Sequence, residues 1–522
     1  MLFNSYIFIF LFLPLCLVGF YILQNRQATL AKVWLTCFSF WFYGYFNLSY
    51  LLIMVCSILG NYLFHCLIVR ARCVQKSKTL MITGVIINVL VLFYFKYFDF
   101  FVENVNTLFG SSFSLKHILL PLGISFFTFQ QISFLADTYR GELTQISFVD
   151  YALFVSFFPQ LIAGPIVVHE EMFPQFARIG NDRRSREEKA EAFSKGIYVF
   201  VLGLAKKVLI ADTFGRAVDL AYSNVTGING LESLITVVFY SLQLYFDFSG
   251  YCDMAKGIAG MFGMTIANNF NSPYKAVNIV DFWKRWHITL SRFFTKNIYI
   301  PLGGNRKGEG RMYLNYFIVF FLSGLWHGAG WNFILWGMMH GVLYVVTKWW
   351  LKNKEKTYVI YKDESNIHNI NHGKDDIGDK KCVGSAKAKI GNVSACMLTF
   401  IYVSVAWVYF RASSVEQANM LLMNIFTKPW GIPGENFANI FNLGEFWYIL
   451  KILKIAALPY AKYYIMIVFT AVALVITFCG KNVDALAEKW EPKVINALIT
   501  AVLFVWCVVS LSGVSTFLYF NF

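Results

Sequence analysis

The chain has 522 residues, 57% hydrophobic and 14% charged, with 45 Lys and Arg against 30 Asp and Glu. A soluble domain carries about 25% charged residues, so this composition excludes an ordinary water-soluble fold, whose surface could not be solvated. The formal charge of +15 does not point to a nucleic-acid partner, because the positive residues sit in loops beside apolar runs, where they set orientation in a membrane.

In chain order, apolar stretches lie near 5–23, 28–46, 48–69, 79–101, 117–137, 148–166, 194–214, 230–262, 312–326, 331–349, 395–411, 463–480 and 495–518. Crossing a bilayer core takes about 20 such residues. The pattern predicts an all-α polytopic membrane protein, a single membrane-embedded domain over residues 1–522 with roughly 11–13 transmembrane or re-entrant helices. The first run, from Ser5 to about Leu23, lacks a basic leader and a small-residue cleavage site, and reads as a retained helix. The stretch at 148–166 ends in Gly164-Pro165 and is a candidate for a segment that does not cross fully. The stretch at 230–262, which carries Asp247, Gly250 and Asp253, is a candidate for a broken helix.

Arg26 and Lys32 flank the first loop, and Arg70, Arg72, Lys76 and Lys78 fill the third, whereas the loop around Asn47-Leu48-Ser49 is uncharged. The positive-inside rule makes the first and third loops cytoplasmic and the N-terminus external. Residues 270–311 hold eight Lys or Arg against Asp281 and Glu309, and the loop at 481–494 holds Lys481, Lys489 and Lys493. Both are expected inside, which puts Phe522 outside. The ten cysteines form no CxxC pair and read as packing residues. Residues 352–391, rich in Lys, Asp, Asn and Gly, are expected to be a flexible cytoplasmic insert. His368 and His372 stand four apart in it, but with no other expected ligand they do not indicate a metal site.

Ionisable residues within spans usually face a cavity or a partner. Asp247 and Asp253 are open to two readings: pairing with Lys256, Arg285 or a backbone N–H at a helix break, or a direct role in chemistry. From Asp281 to Arg292, Trp and basic residues alternate as in an interfacial amphipathic helix. Lys284, Arg285 and Arg292 suit either lipid headgroups or the phosphates of a cytoplasmic acyl donor. The glycine-rich run Ser323-Gly324-Leu325-Trp326-His327-Gly328 interrupts two apolar segments. Irregular backbone at membrane depth is tolerated only where it is buried in protein or lines a cavity, and an imidazole there suits proton transfer. His340 is a rival of the same kind.

Phe158-Pro159-Gln160-Leu161-Ile162-Ala163-Gly164-Pro165, Tyr245-Phe246-Asp247-Phe248-Ser249-Gly250, Trp286-His287, Tyr299-Ile300-Pro301-Leu302-Gly303-Gly304, Ser323 to Gly328, and Trp336-Gly337 with His340-Gly341 follow one another within residues 118–349. This series resembles the membrane-bound O-acyltransferase family, in its bacterial alginate O-acetylation branch. The resemblance implies that His327 is the essential histidine and His287 the second active-site residue, at the meeting of a cytoplasmic tunnel and an outer funnel. His327 is then expected to act as general base and His287 to position or polarise a thioester carbonyl. Trp326, His340, Lys284, Arg285, Arg292, Asp247 and Asp253 become donor-binding or cavity-lining residues. The C-terminal Thr516-Phe517-Leu518-Tyr519-Phe520-Asn521-Phe522 reads as an interfacial aromatic belt. It is also similar to a short acyl-transfer motif of envelope acylation systems, which implies a relay through Tyr519.

The function so implied is transfer of an acetyl group across the membrane for O-acetylation of a cell-envelope polysaccharide. Acetyl-CoA or an acyl carrier is the expected cytoplasmic donor, and no resident cofactor or metal is expected. An extracytoplasmic acetyltransferase or the polysaccharide is the expected acceptor, with membrane lipid as surroundings. D-alanyl transfer to teichoic acid, and a non-enzymatic transporter with a His/Asp proton relay, are the alternatives.

Overall fold

The computed structural model describes residues 1–368, 383–442, 444, 447–455, 458–512 and 518, with side chains described except at 355–368, 383–390, 447–449 and 512. Among the described residues there are helices and loops and no strand. The elements that matter below are α1 (Phe8–Gln24), α2 (Ala28–Gly44), α3 (Leu48–Val69), α4 (Val74–Phe109), α5 (Ile124–Tyr139), α6 (Phe148–Ser156), α7 (His169–Ala177), α8 (Arg186–Ala205), α9 (Asp212–Ser223), α10 (Gly230–Met261), α11 (Ile279–Arg285), α12 (Ile288–Phe294), α13 (Glu309–His327), α14 (Trp331–His368), α15 (Val383–Arg411), α16 (Ala461–Phe478) and α17 (Val494–Val509). Four of them are long and apolar enough to cross a membrane: α3, α4, the Gly391–Arg411 part of α15, and α16. α1 and α17 are shorter apolar helices.

α10 is the pillar of the molecule. It runs 32 residues, about 48 Å at 1.5 Å per residue, and is buried nearly all round, as a core helix must be. The sequence pattern suggested a break here, and the structure has none. Asp247 is paired with Lys207 (2.6 Å), and Asp253 with Lys206 (2.6 Å). Both lysines lie in a single π-helical turn, Lys206–Ala211, between α8 and α9. Neutralised in this way, the carboxylates need no break in α10 to free a backbone N–H. Lys256 and Arg285, the partners suggested by sequence, are taken by Asp484 and Asp281.

Glycines bring α8 and α10 together. Gly196 and Gly203 face Gly257 and Gly250, each pair seven residues apart. A Cβ on Gly203 would lie 2.6 Å from the carbonyl oxygen of Gly250, and one on Gly257 2.4 Å from the amide nitrogen of Phe200. Small residues that admit backbone contact are how helices associate when hydrophobic burial gives no preference for protein over lipid.

The stretch at 148–166 is not one continuous helix. α6 ends at Ser156, a single turn follows at Phe158–Leu161, and residues 151–167 are buried throughout. Its loose backbone groups find partners: Gln130 and Gln160 donate to the Phe154 carbonyl (3.0 and 2.8 Å), and Ser39 accepts from the Phe158 N–H (3.2 Å). The expected span at 117–137 begins only at Ile124, because Pro121 and Gly123 turn the chain. Gly123 has φ +71°, and a Cβ there would meet the Leu161 carbonyl at 2.9 Å.

The expected insert is partly helical. α14 runs on to His368 and α15 starts at Val383, because no Gly or Pro stands between Val342 and His368 to stop a helix. His372 lies outside the described residues. The stretches that charge assigns to one side of the membrane touch one another, Asn482 with Asn271 (3.0 Å) and Lys275 with the Gly480 carbonyl (2.5 Å), and Lys256 near the end of α10 pairs with Asp484.

Gly203→Ala is expected to lower stability by about 1–3 kcal/mol through overpacking. Gly60→Ala, where nothing lies within 4 Å of the added methyl, is expected to leave it unchanged or raised by about 0.4–1 kcal/mol. Thermal melting of the detergent-solubilised chain compares the two.

Candidate active site

α13 and α14 form a hairpin around the turn Gly328–Gly330. Gly324 and Gly337 set its crossing: a Cβ on Gly324 would stand 2.4 Å from the Phe333 carbonyl, and one on Gly337 2.5 Å from that of Phe320. His327 is the last residue of α13 and only 3% exposed. Its ring packs edge-on against Trp326, Trp336 and Phe410, with centroids 4.8–5.1 Å away.

A helix end at this depth leaves carbonyls to satisfy. Lys96, from the π-helical turn Phe93–Tyr97 of α4, donates to the Trp326 carbonyl (2.5 Å) and the His327 carbonyl (3.1 Å). The Tyr97 hydroxyl donates to Leu325 (2.8 Å). Sequence reasoning passed over Lys96, although one lysine in a long apolar run is the kind of residue that marks an intramembrane site.

His287 joins α11 to α12 with φ 45° and ψ 52°, a left-handed conformation uncommon outside glycine, and is fully buried. Asn269 holds it there. The Asn269 backbone carbonyl accepts from the Ile288 N–H (3.0 Å), and its Oδ1 accepts from the Thr289 N–H (3.2 Å) and hydroxyl (2.9 Å). His287 Nδ1 lies 3.1 Å from the same Oδ1. Thr289 Oγ1 in turn accepts from the Ile166 N–H (3.0 Å), tying the segment that ends the 148–166 stretch to the site. Phe248 of α10 packs edge-on against the His287 ring (4.8 Å). Asn269 was also missed, and no motif or periodicity marks it.

The two imidazoles are neighbours, with centroids 6.4 Å apart and planes tilted by 59°. His340 lies behind Trp336, whose ring touches His327 (5.0 Å) and His340 (4.9 Å), and His340 Nδ1 accepts from the Trp283 indole (3.3 Å). The indole N–H groups of Trp326 and Trp336 are buried with no acceptor among the described residues. Such donors are rare unless something else uses them.

A cavity of about 430 Å³ is lined by Lys284, Arg292 and Tyr299 as well as Trp283, Ile288, Phe320 and Ser323. Ile288 adjoins His287, and Ser323 is one turn before His327. Lys284 and Arg292 both line this cavity, and Arg292 is also bound to Glu171. Arg285 pairs with Asp281 (2.8 Å) and is not among the lining residues. Asp247 and Asp253 are engaged by Lys207 and Lys206, and Asp247 Oδ2 also accepts the backbone N–H of Leu518 (2.9 Å). Tyr519, the next residue, lies outside the described residues. Among those described, one trio has metal-ligand reach, Asp137, Glu142 and His169. Lys296 (3.1 and 3.3 Å) and Arg140 (2.8 Å) balance its carboxylates, and it pins the segment after α12 to α5 and α7. A larger cavity, about 710 Å³, opens between Phe20, Arg178, Arg184 and Phe262 and holds none of the residues singled out in the sequence.

Residues 135–358 match the model of the MBOAT, membrane-bound O-acyltransferase, family. The chain is 37% identical to a peptidoglycan O-acetyltransferase of Helicobacter pylori, over 100% of its own length and 98% of the relative's. It is 34% identical to a probable alginate O-acetylase AlgI of Pseudomonas aeruginosa, over 89% of this chain and 82% of that one. A teichoic acid D-alanyltransferase of Bacillus subtilis is 30% identical over 42% of this chain and 57% of its own length. With near-complete coverage by relatives at this identity, and a family match that spans both buried histidines, the chain is a membrane acyltransferase and belongs to the membrane-bound O-acyltransferase family.

Proposed function

We propose that the protein passes an acetyl group from a cytoplasmic thioester, acetyl-CoA, to a hydroxyl on the outer side, for O-acetylation of a cell-envelope polysaccharide. The observation that carries this reading is the neighbouring pair His287 and His327, buried beside a cavity whose lining includes Lys284 and Arg292. The cations receive the donor's phosphates, and the acyl arm follows the cavity toward Ile288 and Ser323. The acceptor hydroxyl forms the new C–O bond at the thioester carbonyl as the C–S bond breaks. His327 takes the hydroxyl proton as general base and returns it to the departing sulfur. The Trp326 and Trp336 indoles supply N–H donors for the oxygen that becomes negative.

Acetyl is favoured over D-alanyl because relatives named as O-acetylating enzymes align along nearly the whole chain, and the D-alanyltransferase along less than half. A proton relay through Asp247 and Asp253 is disfavoured by their pairing with lysines. With the basic loops on the cytoplasmic side, both termini lie outside. The contact of Leu518 with Asp247, one residue before Phe248 and its packing on His287, supports a relay in which Tyr519 receives the acyl group before a separate acetyltransferase or the polymer does.

His327→Ala is expected to cut transfer by about 10²–10⁴-fold; acetyl-CoA turnover by the purified, folded chain measures it, and wild-type turnover would contradict the assignment. Intact mass of the C-terminal peptide after incubation with acetyl-CoA should show one added acetyl group on Tyr519, absent in Tyr519→Phe. A peptide that stays unmodified while acetyl-CoA is consumed would mean direct transfer to the final acceptor.

A further inference from the structure

The contacts of Asn269 decide which nitrogen of His287 carries the proton. A backbone N–H only donates, so the Asn269 atom that meets the Thr289 N–H at 3.2 Å is the amide oxygen. The Thr289 hydroxyl agrees: it accepts from the Ile166 N–H and so has its own hydrogen to give to that oxygen, 2.9 Å away. The other arm of the amide, Nδ2, points to the Cys252 sulfur at 3.5 Å, as a donor should. An amide oxygen only accepts, so the partner 3.1 Å away, His287 Nδ1, must be its donor. Neutral imidazole has one N–H. With it committed at Nδ1, Nε2 carries the lone pair.

We infer that Asn269 is a positioning residue that fixes His287 in the Nδ1–H tautomer, so that its Nε2 is a proton acceptor and not a donor toward the thioester carbonyl. The division of labour expected from sequence, with His287 polarising the carbonyl, needs an N–H that the neutral ring does not have at Nε2. The ring next to His327 instead offers a basic nitrogen, and the positive charge that forms on His327 during proton transfer meets a neutral acceptor. The left-handed backbone of His287 has the same origin: Asn269 caps the start of α12 from outside with its backbone and side-chain oxygens, and the chain must turn sharply at His287 for both to reach.

This assignment rests on the acyltransfer reading for its consequence in catalysis, but its central test does not. In ¹⁵N-histidine-labelled full chain in lipid, with His287→Gln used to identify the signal, His287 is expected to show a protonated Nδ1 and an unprotonated Nε2. The reverse pattern would overturn the inference whether or not acetyl-CoA is the donor. In activity, Asn269→Leu is expected to lower kcat about 10–100-fold with KM for acetyl-CoA little changed. Asn269→Asp, which keeps the accepting oxygen and adds a negative charge that favours protonated His287, should retain more activity and move the acidic limb of the kcat profile to higher pH. A profile for Asn269→Asp that superimposes on wild type, or equal losses in both variants, would reduce Asn269 to a structural cap and contradict the proposal.

Discussion

Backbone groups that leave a helix inside a membrane protein have no water to turn to, and each one left unpaired costs several kcal/mol. His327 and His287 both stand at such places, one at the end of α13 and one before the start of α12. Residues from other elements meet the demand at each place. Lys96 reaches the carbonyls of Trp326 and His327, and Asn269 reaches the amides of Ile288 and Thr289. Polar caps, not the histidines themselves, make two irregular turns tolerable beside each other, and so bring the imidazoles within 6.4 Å.

The same constraint shapes the scaffold. α10 carries two carboxylates through the interior without a break because two consecutive lysines come from a π-helical turn of its neighbour. The neighbour is close enough to supply them because Gly196 and Gly203 lie on Gly257 and Gly250. Phe248, one residue from Asp247, then packs on His287. Charge pairing, glycine contact and the placement of the His287 ring thus lie along one stretch of helix.

Much of this was legible in the sequence. Apolar runs announce most helices, because burial in lipid imposes a composition that reads directly. The motif order around Trp286-His287 and Ser323 to Gly328 marks both histidines, and the structure puts them together. What could not be read is pairing between distant residues. Nothing near Asp247 points to Lys207, forty residues earlier, and nothing near Asn269 marks it as the cap of a helix starting at Ile288. The break expected in α10 came with seeking partners for its aspartates at Lys256, Arg285 or a freed backbone N–H, whereas the partners are Lys207 and Lys206. The loop expected at 352–391 followed from composition, which is polar, when local helix propensity was the stronger influence on where α14 ends.

In the proposed function, one buried histidine pair serves a donor on the basic face and delivers the acyl group to the opposite face. The most direct measurement is one-sided: the chain reconstituted in sealed vesicles of known orientation, with labelled acetyl-CoA confined to one side. Label is expected to leave the donor only when it is supplied at the face bearing Lys284 and Arg292, and to become covalently bound where a membrane-impermeant hydrolase added on the other side can release it. Equal consumption from either face, or label that stays accessible only on the donor side, would contradict the account.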